Sequence, residues 1–440
     1  MTPSRSVPLF VGLCLACALL VVSCQTGADG DGSGNAKNVI LIIGDGMGVA
    51  QRDAVQLATV GLDGRLAMDE LSYSGMSDTK PSDPRTIITD SAAGGSGLAS
   101  GVKTYNGAIG VDEGKNSVPT ILEQAKLAGK ATGLVTTDSV TGATPASFAA
   151  HVEERDEEAE IARQYVQETR PGVILGGGGS YFEQDDETGD LIQQARRQGY
   201  AYVTDAEELE SAQGDKILGL FAAESMFREG PEGEGRYDPA VPLPTMTEKA
   251  ISTLSRDRDG FFLLVEEEAI DGMSHSNNSE LMIEAGQELD GAVRVARDYA
   301  EEEPDTLLIV AADHETGGLS VEDVDRAWDR EGSQGGDGPF EIENSERMFK
   351  LDWTTNGHTG TDVPITAAGP GAENLSGVYA NTHVYDVMAE SLAIEEAFPI
   401  PRTTLAMVSF LITLVIVMIM LTLLWRGRKI KGHRRRFFLS

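Results

Sequence analysis

The side chains best able to do chemistry in this chain stand just beyond short apolar runs. Asp45 follows residues 38–43; Glu266, Asp271 and His275 follow 261–265; Asp313 and His314 follow 306–311; His358 precedes 363–367. Half of the six histidines therefore occupy such places, and mixed aspartate and imidazole donors suit zinc. Each residue alone has a plain structural reading: Asp45 in "GDG" as a turn residue, Asp271 and His275 as neighbours on one helical face, His314 as a cap. Carboxylates gathered at one sheet edge, however, would be costly unless cations neutralised them. The second feature is "ITDSAAGGSGLASGVKT" at 88–104, where Asp90 and Ser91 precede a glycine-rich stretch. Both are ordinary N-cap residues. Ser91 is also a candidate nucleophile, provided that something activates a hydroxyl that is weak at its free pKa.

The elements that must position these residues repeat one theme: an apolar run, a turn, a helical stretch. Strands are expected at 38–43, 131–136, 173–175, 217–221, 261–265, 306–311 and 363–367. Helices are expected at 118–128, 145–150, 157–167, 191–197, 245–254, 279–299 and 383–394. The alternation predicts an α/β fold with a largely parallel central sheet and helices on both faces, its ligands collecting outside the carboxyl ends of the strands. One catalytic domain is expected over 38–398. Within it, 318–356 is too long for a plain connection and reads either as an insertion framing the site or as a disordered surface excursion.

The chain ends read differently. Arg5, an apolar run at 7–22 and "VVSC" indicate an export signal over 1–23, with Cys24 a candidate for lipidation of the bacterial lipoprotein type. An ordinary cleavage or an uncleaved anchor are the alternatives. Residues 24–37 are expected to be a flexible tether. Residues 403–425 are uncharged and apolar, which predicts a C-terminal transmembrane helix. The cationic stretch 426–440 then predicts a cytoplasmic tail, and hence a membrane partner with the catalytic domain on the extracytoplasmic side of a cell membrane. Cys14 and Cys17 lie inside the signal, so no intrachain disulfide is expected in the mature chain. The 70 acidic residues outnumber 35 basic ones, for a net charge of −35. That field opposes polyanions, so no nucleic-acid partner is expected, and it fits work in concentrated salt.

Taken in order, "GDGMG" (44–48), "TDSAA" (89–93), "GVKTYNGAIGVD" (101–112), "ATPASFAAHVEER" (143–155), "VEEEAIDGMSH" (265–275), "ADHETGGL" (312–319) and "GHTG" (357–360) resemble the alkaline phosphatase family. The likeness runs over roughly 36–398. It implies a phosphomonoesterase working through a phosphoseryl intermediate on Ser91, with two zinc ions and one magnesium ion. Asp271, His275 and His358 would hold one zinc, and Asp45, Asp313 and His314 the other. Asp45, Thr144 and Glu266 would hold magnesium, and Arg155 would bind phosphate. Phosphomonoester substrates and a homodimer are likewise implications of the resemblance. The sequence departs from the family at Gly142 and Gly272, where relatives commonly carry polar or metal-influencing side chains. A phosphodiesterase of the same superfamily and a non-catalytic, membrane-tethered metal- or phosphate-binding protein are the alternative readings. A sulfatase is disfavoured because "TDSAAGG" lacks the pattern for formylglycine formation.

Overall fold

The run NVILIIG forms strand β1 (Asn38–Gly44), buried along its whole length. Ile40 and Ile42 pack into the hydrophobic core on one face of a sheet, and Val39, Leu41 and Ile43 into the core on the other. This is the two-sided burial that an interior strand flanked by helical layers requires. Each such side chain, fully withdrawn from water, contributes about 1.5–3 kcal/mol. The computed structural model describes residues 35–183, 189–324 and 337–394.

The sheet has ten strands. After β1 come β2 (Tyr73–Asp78), β3 (Ala131–Ser139), β4 (Val173–Gly177), β5 (Ala201–Val203) and β6 (Ile217–Leu220). Then follow β7 (Phe261–Glu267), β8 (Thr306–Ala311), β9 (Val363–Ala368) and β10 (Gly377–Ala380). Their spatial order is β10-β2-β9-β8-β1-β7-β3-β4-β6-β5. Helices Leu243–Leu254 and Ser279–Glu302 cover one face; Ser91–Ser100, Ile121–Leu127, Ala143–Ala149 and Thr382–Ser391 cover the other. The central strands β8, β1, β7 and β3 are mutually parallel, so their carboxyl ends share one rim.

The sheet is largely parallel, as expected, with one strand reversed: β9 runs antiparallel to both of its neighbours, β8 and β2. The expected transmembrane helix is corrected: among the described residues no helix is long and apolar enough to cross a membrane. The longest, Ser279–Glu302, is amphipathic, burying Met282, Leu289 and Val293 while Glu280 and Glu284 face outward. The architecture is therefore an α/β domain without a spanning helix among the described residues, and the membrane partner and membrane location expected with that helix are corrected accordingly. The expected signal at 1–23 with Cys24, the transmembrane segment at 403–425 and the tail at 426–440 lie outside the described residues, as does the tether up to residue 34.

Within 318–356, strands Leu319–Asp323, Asp337–Glu341 and Met348–Trp353 form a small antiparallel sheet. Its last strand returns the chain to the rim, where Thr316 pairs with His358. Strands β2, β5 and β10 were not expected. Tyr73–Asp78 is only half-buried and has no apolar run to betray it.

Candidate active site

Helix Ser91–Ser100 begins at the serine in question. Asp90 is extended (φ −103°, ψ 173°), and its Oδ1 accepts from the Ala93 amide at 3.0 Å, an N-cap. Every residue of this helix is buried. Glycines are poor helix formers, at about 1 kcal/mol each relative to Ala, but here they permit close approach. A Cβ at Gly94 would lie 3.1 Å from the Asp313 carbonyl, and one at Gly97 would lie 2.8 Å from Asn381 Nδ2. The helix thus settles against the chain leaving β8, and Ser91 Oγ comes to 3.2 Å from His314 Nε2. Gly46, at φ +67°, makes the turn that presents Asp45, and a Cβ there would meet Asp271 Oδ1 at 2.6 Å.

The three rim histidines all turn the same atom inward. His275 Nδ1 contacts the Asn356 carbonyl at 2.6 Å and His358 Nδ1 contacts the Thr89 carbonyl at 2.9 Å. Since a carbonyl only accepts, each Nδ1 carries a proton, and each ring when neutral keeps its lone pair on Nε2. The Thr316 hydroxyl donates to Asp271 Oδ1, so the 3.2 Å contact between Thr316 Oγ1 and His314 Nδ1 has the imidazole as donor. His314 Nε2 therefore also presents a lone pair, 3.1 Å from Asp313 Oδ2 and 3.5 Å from Asp45 Oδ1. Both of those carboxylate oxygens are buried without a hydrogen-bond partner.

Acceptors converging on acceptors are what a cation site requires. Ligand atoms of Asp45, Asp313 and His314 lie within 4.8 Å of one another, as do those of Asp271, His314 and His358. His275 does not belong to that second grouping. Its Nε2 nevertheless stands 3.0 Å from His358 Nε2 and 3.1 Å from Asp271 Oδ2. His314 approaches Asp271 only through Nδ1, at 3.9 Å, the nitrogen that Thr316 engages. Tautomer chemistry therefore favours His275 with Asp271 and His358, and His314 with Asp45 and Asp313.

Burial, followed by the charges of Asp313, Asp271 and Glu266, pushes the Asp45 carboxyl well up. Burial and then Asp271 push Asp313 up to about 7, and burial and then Asp138 push Glu266 up to about 8. Burial acts on Asp271 in the same sense, but the bond from His275 and the charges of the three histidines hold its carboxyl down. His275 is raised to about 9 by that bond, and His314 is lowered by burial. Thr144 Oγ1 donates to Asp45 Oδ2 at 3.2 Å, and Glu266 Oε2 accepts from the Thr136 hydroxyl, so a third set of oxygens lies beside Asp45. Arg155 Nη1 is 3.7 Å from Asp90 Oδ2 and remains partly exposed, next to the Ser91 helix start.

Residues 36–334 and 339–394 match the family model for alkaline phosphatase. The chain belongs to the alkaline phosphatase family. It is 34% identical over 409 residues to alkaline phosphatase 3 of Bacillus subtilis, covering 79% of this chain and 87% of that one. Identity is also 34% with the Escherichia coli alkaline phosphatase over 415 residues (82% and 87% covered). The solved alkaline phosphatase of the Antarctic bacterium TAB5 superposes with a TM-score of 0.72 at 31% identity, covering 82% of this chain and all of that one. As an alkaline phosphatase the chain hydrolyses phosphate monoesters at a multi-metal active site.

Sequence reasoning overlooked two carboxylates at this alkaline phosphatase site. Glu268 Oε2 is buried without a hydrogen-bond partner, and the charges of Asp138, Asp271 and Asp45 act on it. Three consecutive acids ending an apolar strand, "VEEE", were the available signal. The middle one, Glu267, is accounted for by bonds from Tyr237 and Thr137, each at 2.7 Å. The other carboxylate is Asp138 near the end of β3. Of the two glycines expected to depart from the family's pattern, Gly272 is covered by Phe227, whose ring would lie 2.8 Å from a Cβ there.

Proposed function

We propose that Ser91 is the nucleophile of phosphomonoester hydrolysis, in a site that takes two zinc ions and one magnesium ion. His275, His358 and Asp271 would hold one zinc, and Asp45, Asp313 and His314 the other. These donor types suit zinc, and the buried, unpartnered oxygens of Asp45 and Asp313 fit a cation. The oxygens of Asp45, Thr144 and Glu266 suit magnesium. When bound, the cations supply positive charge against the phosphoryl oxygens and the two oxygens that exchange places on phosphorus.

The chain's own residues account for the rest. The Ser91 helix start offers its dipole to an anionic phosphoryl group. Arg155, tethered by Asp90, meets two nonbridging oxygens with its planar fork. Ser91 Oγ attacks phosphorus in line, its proton leaves, and the bond from phosphorus to the alcohol oxygen breaks with that oxygen taking up a proton. Water then cleaves the phosphoserine, restoring the Ser91 hydroxyl and releasing inorganic phosphate.

The observation that carries the reading is the 3.2 Å contact between Ser91 Oγ and an imidazole nitrogen shared with two orphaned carboxylates. The test is hydrolysis of an aryl phosphate monoester by chelated protein and by protein reloaded with zinc and magnesium, beside S91A and a matched diester. Activity in chelated protein, undiminished activity in S91A, or a preference for the diester would refute the assignment.

A further inference from the structure

Position 142 lacks a side chain, and the space is taken by another residue. A Cβ at Gly142 would fall 2.2 Å from Asp138 Oδ2, so the carboxylate of Asp138 fills the volume that a side chain two residues before Thr144 would need. Its other oxygen accepts from Ser225 Oγ at 2.5 Å, which fixes the carboxylate in that direction. The Asp138 amide donates to Thr136 Oγ1 at 2.9 Å, and the same hydroxyl donates to Glu266 Oε2. The carboxylate lines a cavity of about 200 Å³ together with Gly142, Arg155, Glu158 and Ser225. Among the charges acting on Glu266, that of Asp138 is the largest.

We infer that Asp138 is a positioning residue for the cation held at Asp45, Thr144 and Glu266. The inference rests on the assignment of magnesium to those three residues. Three protein oxygens fill half of an octahedral shell and leave the rest to water, which magnesium gives up reluctantly. Water on that side needs an acceptor, and a carboxylate makes the stronger, charge-assisted hydrogen bond. Asp138 is a carboxylate lining a polar cavity with Gly142 and Ala143, which lead into Thr144; it is oriented by Ser225, and its amide is joined through Thr136 to a proposed ligand. Gly142 is what admits it, because a side chain at 142 and the present position of Asp138 exclude each other.

The experiment is magnesium titration of zinc-loaded protein, with zinc content measured alongside, for wild type, D138N, D138A, the double variant D138A/G142D and E266Q. Outer partners of a metal typically contribute tenfold to a hundredfold to affinity. D138N and D138A are therefore expected to weaken magnesium binding at least about tenfold with zinc content unchanged. D138A/G142D, which delivers a carboxylate to the same volume from the other chain position, is expected to recover most of the loss. Wild-type magnesium affinity in D138N while E266Q binds weakly would overturn the inference and leave the magnesium site standing. So would a double variant no better than D138A, or a change confined to inhibition by inorganic phosphate, which would place Asp138 with Arg155. Undiminished magnesium affinity in E266Q would instead remove the site on which the inference rests.

Discussion

The Nε2 atoms of His275 and His358 lie 3.0 Å apart although both rings carry their proton on Nδ1, where backbone carbonyls accept it. In their neutral forms two such rings have no hydrogen bond to make through Nε2. They come that close because the strand pair Glu315–Thr316 and His358–Thr359 holds one ring, and helix Ala269–His275 the other. The zinc proposed for His275, His358 and Asp271 would account for the geometry, and the consequences can be measured.

Removing the attacking oxygen should abolish turnover without emptying the site. S91A is expected to lose about 10³-fold or more in kcat, the scale on which loss of a nucleophile acts. Its zinc content should match wild type, since the proposed zinc donors are the carboxylates and imidazoles of Asp45, Asp271, His275, Asp313, His314 and His358. Acid quenching during turnover should trap phosphoserine in wild type and none in S91A.

Arg155 should act through phosphate. Loss of a charged, two-pronged contact costs about 1.5–3 kcal/mol, so R155A is expected to lower kcat/KM by roughly 10- to 100-fold and to weaken inhibition by inorganic phosphate. D90N keeps the helix cap but loses the charge 3.7 Å from the guanidinium. It should shift both quantities in the same direction and by less. Unchanged phosphate inhibition in R155A would count against the assignment.

Chelation should make stability fall with rising pH. Asp313, Glu266 and His275 titrate in the metal-free fold at about 7, 8 and 9, against ordinary values of 3.8, 4.5 and 6.5. Between pH 7 and 9 the folded state therefore binds more protons at these groups than the unfolded chain. The derivative of unfolding free energy with pH is then negative, and their contribution is lost as pH rises through the folded values. Bound cations replace those protons. The gap in melting temperature between loaded and chelated protein should widen from pH 7 to 9, a difference that cancels groups outside the site such as Lys103, which burial lowers to about 8. Zinc binding at pH 7.5 should release protons, read from the buffer dependence of the calorimetric heat.

The glycines of the Ser91 helix should tolerate no added bulk. G97V would drive carbon into the Asn381 amide, 2.8 Å from even a Cβ. Overpacking of this kind costs about 1–3 kcal/mol, so the melting temperature should drop. The same change at the exposed Gly199, where nothing lies within 4 Å of a Cβ, would involve only its backbone, at φ +92°. Wild-type stability in G97V would mean that the helix can move away from its neighbours.

The carboxylates and imidazoles that meet at the rim were legible in the sequence as candidates because their chemistry is restrictive. Aspartate and histidine directly after apolar runs have few uses at a buried rim, and the strands that carry them announce themselves by unbroken apolar character. Glu268 and Asp138 were not legible. One belongs to a run of acids whose members point in different directions, and the other follows two threonines with nothing to mark its reach toward Gly142. The reversal of β9 was hidden for a related reason: a strand buried on both faces has the same composition whichever way it runs.

Residue types and their order along the chain thus determined which atoms can bind cations and which hydroxyl can attack, because donor chemistry belongs to the side chain itself. Tertiary packing alone decided which histidine nitrogen faces inward, which carboxylate oxygens go without partners, and whose side chain fills the space beside Thr144. Those properties depend on neighbours that are distant in sequence, such as Thr89, Ser225, Thr316 and Asn356, and on the close approach of backbones that glycine permits.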